Sequence, residues 1–135
     1  MKVNFKNAEH LFNDRFYEES FAMFNTIASD KKVSLELRAE SCNMIGLIIQ
    51  MAAPYLAKGD DESGLYYFKK ALELDSKNIS AALNIIATYD NSPTDHKNAV
   101  ATKIAYECLK KYYWQDLSEE QKKSVHLLDK HFDII

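Results

Sequence analysis

Glycine is scarce in this chain of 135 residues, with three in all, and proline scarcer still, with two. An all-β fold threaded by tight turns needs more of both, so that class is excluded. Neither GxGxxG nor GxxxxGK[ST] occurs, which removes a glycine-rich loop cradling phosphates. The two cysteines, Cys42 and Cys108, form no CxxC pair, and two buried thiols in a reducing compartment are expected. Positive charge is not in excess: 17 Lys and Arg stand against 20 Asp and Glu, for a net charge of −3. A protein built to grip nucleic-acid phosphates is normally basic, so no nucleic-acid partner is expected. The longest apolar stretch, Met44 to Ala57, is 14 residues interrupted by Gln50 and Pro54. A membrane span needs about 20 apolar residues, so this reads as a buried helix, and no membrane partner is expected. The opening MKVNFKNAEHLF carries no apolar run after a basic start, so the expected location is cytoplasmic.

What the chain does have is apolar residues at helical spacing along nearly its whole length, with 47% apolar and 27% charged residues. Phe5, Ala8, Leu11 and Phe12 make one stripe. Phe21, Phe24, Ile27 and Ala28 make a second, over 17–29. A third helix starts at Ser34, a natural N-cap, and Pro54 ends or kinks it. A fourth covers 62–74 with Leu65, Phe68, Ala71 and Leu72 on one face. A fifth runs over 79–89, and a sixth from Pro93 to Tyr113 with Val100, Ile104, Cys108 and Leu109. Ser118-Glu-Glu-Gln121 is a capping box opening a seventh helix with Val125, Leu128 and Phe132. The fold class expected is all-α, in one domain over 1–135.

Two stretches repeat one pattern. Ser20, Phe24 and Ile27 recur as Gly64, Phe68 and Ala71, each set following a turn and an acidic start. Ile45-Gly46 stands in the helix before the second set, and Gly59 in the turn between. In these features the chain resembles the tetratricopeptide repeat, a helix–turn–helix unit of 34 residues. The resemblance implies a right-handed α-solenoid of about three hairpins, over 1–34, 39–78 and 79–112, with a capping helix over 118–133. It also implies that Gly46 and Gly64 face each other where two helices cross, the missing side chains letting the backbones meet. Such proteins bind protein or peptide partners with the first helix of each hairpin. Carried over residue by residue, the implied binding groove holds Phe5, Glu9, Phe12 and Asn13 in the first repeat. Asn43, Leu47 and Gln50 follow in the second, then Leu83 and Asp90 in the third. Glu40 and Met51 fall in the same set. Asn43 and Gln50 are expected to face solvent and bond the backbone of an extended ligand. A short insertion, 53–57, separates the two helices of the second repeat and either leaves this groove open or covers it.

The remaining constellations read as structure. His126 and Asp129 are spaced to share a metal, but no third ligand is indicated, so no metal and no cofactor are expected. Glu18-Glu19, Asp60-Asp61-Glu62 and Glu119-Glu120 sit in first turns, where the helix dipole favours negative charge. No nucleophile–base set converges, and the expectation is a non-catalytic interaction module, an adapter or chaperone-like protein. Two other readings stay open: a small cytoplasmic inhibitor such as a toxin-neutralising immunity protein, and a self-assembling homodimer. Tyr112-Tyr113-Trp114 either tethers the capping helix or stacks on a ligand.

Overall fold

A computed structural model describes residues 1–57, 63–88 and 99–132. Among the described residues the chain forms seven α-helices and no strand: α1 Phe5–Asn13, α2 Tyr17–Ser29, α3 Leu35–Met51, α4 Leu65–Leu74, α5 Ile79–Thr88, α6 Ala99–Cys108 and α7 Glu119–His126. None is long and apolar enough to cross a membrane. The turn at Gly59, the loop over 91–95 and Asp90 lie outside the described residues.

The helix starts follow from local chemistry. Asn4, Ser34 and Ser118 each turn a side-chain oxygen to a backbone N–H three residues on, and Gln121 completes the Ser118 box by reaching back to its N–H. The end of α1 is less obvious. Arg15 adopts φ 67°, a left-handed conformation, and lets the Phe16 N–H reach the Leu11 carbonyl at 2.9 Å and the Arg15 N–H reach Phe12 at 3.1 Å. That is the double closure in which glycine usually stands. Pro54 does stop α3: the helix ends at Met51 and a short 3₁₀ turn, Pro54–Ala57, follows.

Each helix through α6 packs on the next, and α1, α3 and α5 also touch in turn, as do α4 and α6. Two buried clusters result. One gathers Ala8, Phe24, Ile27, Ile45, Ile48 and Ile49 around α1, α2 and α3; the other joins α3 to α7 through residues such as Phe68, Leu72, Ile85, Leu109 and Val125. Small residues mark the crossings. A β-carbon on Gly46 would lie 2.5 Å from Phe68 Cε1, and one on Gly64 would overlap the Gly46 carbonyl oxygen. At the α1–α2 crossing the buried Ser20 hydroxyl donates to the Ala8 carbonyl at 2.8 Å.

The C-terminal elements differ from the periodicity. Helix α6 ends at Cys108 and the chain continues as a π turn over Leu109–Tyr113 and a 3₁₀ turn over Trp114–Asp116. Helix α7 stops at His126, well short of residue 133, because the chain tightens to i→i+3 bonds, Leu128 to Val125, Asp129 to His126 and His131 to Leu128. This aims Asp129 back at α6. Its carboxylate accepts from Tyr106 at 2.5 Å and meets Lys110 Nζ at 3.1 Å and His126 Nδ1 at 2.8 Å.

Candidate functional site

The implied groove residues divide by which way α3 is turned. Five residues of α3 follow one another at spacings of 3, 4, 3 and 4: Leu37, Glu40, Met44, Leu47 and Met51. At 3.6 residues per turn these fall on one stripe. Burial shows that stripe facing outward: Leu37 and Met51 are exposed, and Glu40, Met44 and Leu47 are half-buried. The opposite side, with Ala39, Cys42, Ile45, Gly46 and Ile49, is buried against α2 and α4. Met51 is 72% exposed, so the turn over Pro54–Ala57 does not cover the stripe; Tyr55 instead donates to Glu18 Oε1 at 2.7 Å, holding that turn to α2.

Phe5 and Phe12 lie on α1, half-buried, with their rings edge-on to Phe24 at 5.3 Å and Tyr17 at 5.8 Å. Glu9 and Asn13 on the same helix are exposed. Leu83 on α5 is half-buried and lines a cleft of about 410 Å³ together with Asn84, Ala87, Gln121 and Ser124, so α7 lies beside the outer face of α5.

Asn43 does not face solvent, Gln50 is half-buried, and both amides are bonded within the fold. Asn43 is 2% exposed. Its amide donates to Glu40 Oε1 at 3.1 Å and its carbonyl accepts from Asn84 at 2.8 Å. Gln50 donates to Thr88 Oγ1 at 2.7 Å and to the Ser63 carbonyl at 3.0 Å. Glu40 takes a further bond from Asn78, at 3.0 Å, while Asn78 caps the start of α5 through the Ala81 N–H. These bonds form a three-rung ladder that sets α3 against α5: Glu40–Asn78, Asn43–Asn84 and Gln50–Thr88. The physical reason is phase. Asn43 stands one position, about 100° around the helix, from Met44, and that turn carries it from the open stripe into the α3–α5 seam.

Glu40 is thus the one charged group on the stripe. Among the described residues no Lys or Arg forms an ion pair with Glu40, Glu36 or Glu9. Arg38 points the other way, donating to the Ala28 carbonyl of α2 at 3.0 Å.

A second cleft, about 560 Å³, lies at the C-terminal end and is lined by Lys110, Lys111, Tyr112, Trp114, Gln115 and His126. Lys110 sits 4.3 Å and Lys122 5.7 Å from the centre of the Trp114 ring, and His126 meets the ring edge-on at 4.8 Å. Trp114 therefore ties α7 to the π turn that follows α6, as a tether does. Tyr113 donates to the Lys77 carbonyl, in the turn between α4 and α5. The hydrogen bond from Tyr106, then those from His126 and Lys110, hold the Asp129 carboxyl down at about 2, against the opposing effect of burial. His126 and Asp129 are partners of each other, and no group of three or more His, Cys, Asp or Glu among the described residues could hold a metal. Burial pushes the Cys108 thiol up to about 11, with the Asp75 charge adding to it, and burial also raises Cys42.

No protein-family model matches the chain, and neither a curated protein nor a solved structure is found similar to it.

Proposed function

We propose that the protein is a non-catalytic binding module whose partner docks on the outer face of α1, α3 and α5. The observation that carries this is the stripe on α3. A helix otherwise buried on most of its circumference leaves Leu37, Met44, Leu47 and Met51 turned outward in one line. Scattered surface apolar residues need no explanation; a continuous line flanked by Phe5, Phe12 and Leu83 does. Methionines suit such a face, since their unbranched side chains repack against different partners. The paired crossings, Ala8 with Ser20 and Gly46 with Gly64, support a solenoid of tetratricopeptide-like hairpins in which the first helices lie side by side.

The test is site-specific crosslinking in host extract. A photoreactive residue at Met51 should capture a discrete protein that the same residue at Val100, also exposed, on α6, does not. Capture from position 100 with none from position 51 would remove this face and direct attention to the exposed side of α6.

A further inference from the structure

We infer that the occupant of the α3 stripe is a basic amphipathic helix, a partner class that rests on the binding-face reading above. Three observations converge on it. The first is spacing. Residues 37, 40, 44, 47 and 51 repeat as the inward positions of a coiled coil do, and such a ridge accepts the knobs of a second helix. From Leu37 to Met51 it runs about 21 Å at 1.5 Å per residue, the length of about four turns.

The second is what the stripe does not offer. An extended peptide brings unpaired backbone N–H and C=O groups and needs partners for them. The amides nearest the stripe, Asn43 and Gln50, are already bonded to Glu40, Asn84, Thr88 and the Ser63 carbonyl. A helix satisfies its own backbone and asks only for an apolar face.

The third is charge. Glu40 stands at the second position of the stripe, half-buried, its carboxylate held by the Asn43 and Asn78 amides and by no cation among the described residues. Glu36 flanks it on α3 and Glu9 stands on α1 between Phe5 and Phe12, both exposed. Lys2 precedes α1, and Arg38 is turned to α2. A Lys or Arg on the incoming helix would neutralise Glu40 in a place from which binding expels water, where complementary charge selects the partner.

The probes are three synthetic 18-residue peptides: leucine at heptad positions with lysine elsewhere, the same with glutamate for lysine, and the lysine peptide broken by a central proline. Binding to the full chain is read by fluorescence anisotropy, with helicity of each protein variant checked by circular dichroism. The lysine helix should bind at least about tenfold tighter than either other peptide, a difference of about 1.4 kcal/mol. Met51→Lys should weaken it about tenfold, while Val100→Lys, the same charge on α6, should leave it unchanged. Glu9→Lys should weaken it severalfold, and added salt should do the same. If the glutamate or proline peptide binds as tightly and Met51→Lys still abolishes binding, the basic-helix class is wrong although the face is right. If Met51→Lys and Val100→Lys act alike, the peptide is not seated on the stripe and the inference fails with the face. A homodimer in sedimentation that Met51→Lys dissolves would make a second copy the occupant and overturn the inference.

Discussion

Alanine at position 64 and alanine at position 46 should behave differently, although the two glycines touch each other. At Gly64 the φ of 82° is left-handed, which costs a residue with a β-carbon about 1–2 kcal/mol. The new methyl would also overlap the Gly46 carbonyl oxygen and lie 3.0 Å from the carbonyl carbon. That is backbone in the middle of α3 and cannot rotate away. Overpacking of this kind costs about 1–3 kcal/mol, while the smaller entropy of the unfolded alanine chain offsets about 0.4–1 kcal/mol of the loss. The expected net loss for Gly64→Ala is about 1–4.5 kcal/mol. Gly46→Ala begins with a gain of about 1 kcal/mol, because the site is inside a helix with ordinary helical geometry. Most of its cost comes from a side chain: the methyl would lie 2.5 and 2.7 Å from two atoms of the Phe68 ring, which is fully buried, with the Gly64 carbonyl oxygen farther off at 3.0 Å. Trimming that ring should therefore relieve most of it. In urea unfolding followed by far-ultraviolet circular dichroism, Gly46→Ala should be less destabilising in a Phe68→Leu background than in the wild-type one. Gly64→Ala should gain no such relief. Additive losses in the Gly46–Phe68 cycle, or a Gly64→Ala midpoint within error of the parent, would refute the close crossing of α3 and α4.

Asn43→Ala should lower stability by about 1–3 kcal/mol, since it leaves the Asn84 amide without its acceptor in a part-buried seam; combining it with Asn84→Ala should cost less than the sum, as chemical denaturation can show. Arg15→Gly should stabilise by about 0.5–1 kcal/mol, the left-handed strain exceeding the entropy that glycine adds to the unfolded chain, a rise measurable as a higher melting temperature. Asp129 is depressed in the fold, so its contribution is complete above the ordinary carboxyl pKa near 4 and is lost as pH falls towards about 2; Trp114 emission should change over that window and stop doing so in Asp129→Asn. At pH 8 Cys42 and Cys108, both buried, should react with a thiol reagent only as fast as the fold opens, and at the free-thiol rate in denaturant.

Much of this architecture is written locally. Ser34 and Ser118 announce helix starts, Pro54 a helix end, and the spacing of Gly46, Gly64 and Phe68 the place where two helices close on each other. Local signals fail where a third element decides. Asn43 and Gln50 do lie seven residues apart on one side of α3, as the spacing says. Whether that side meets solvent or α5 depends on how α5 sits, and α5 is anchored by Asn78 and Asn84, residues whose spacing carries no warning of a partner 38 or 41 positions away. The Arg15 closure was hidden because arginine stands where glycine gives the usual signal. Around Trp114, Lys110 and Lys122 come from different elements, and His126 with Asp129, read in isolation, suggests a metal pair instead of the anchor of α7.

The ladder between α3 and α5 makes the two margins of the α3 stripe mechanically unlike. On the α5 side three rungs lock the helices in one register, so a slip by a single residue would break every rung at once. On the α1 side no side-chain hydrogen bond among the described residues joins α1 to α3, and the margin is packed by apolar groups, which tolerate small sliding. A visitor to this face would meet one wall that behaves as a fixed jaw and one that can be adjusted, with discrimination vested in the first and accommodation in the second.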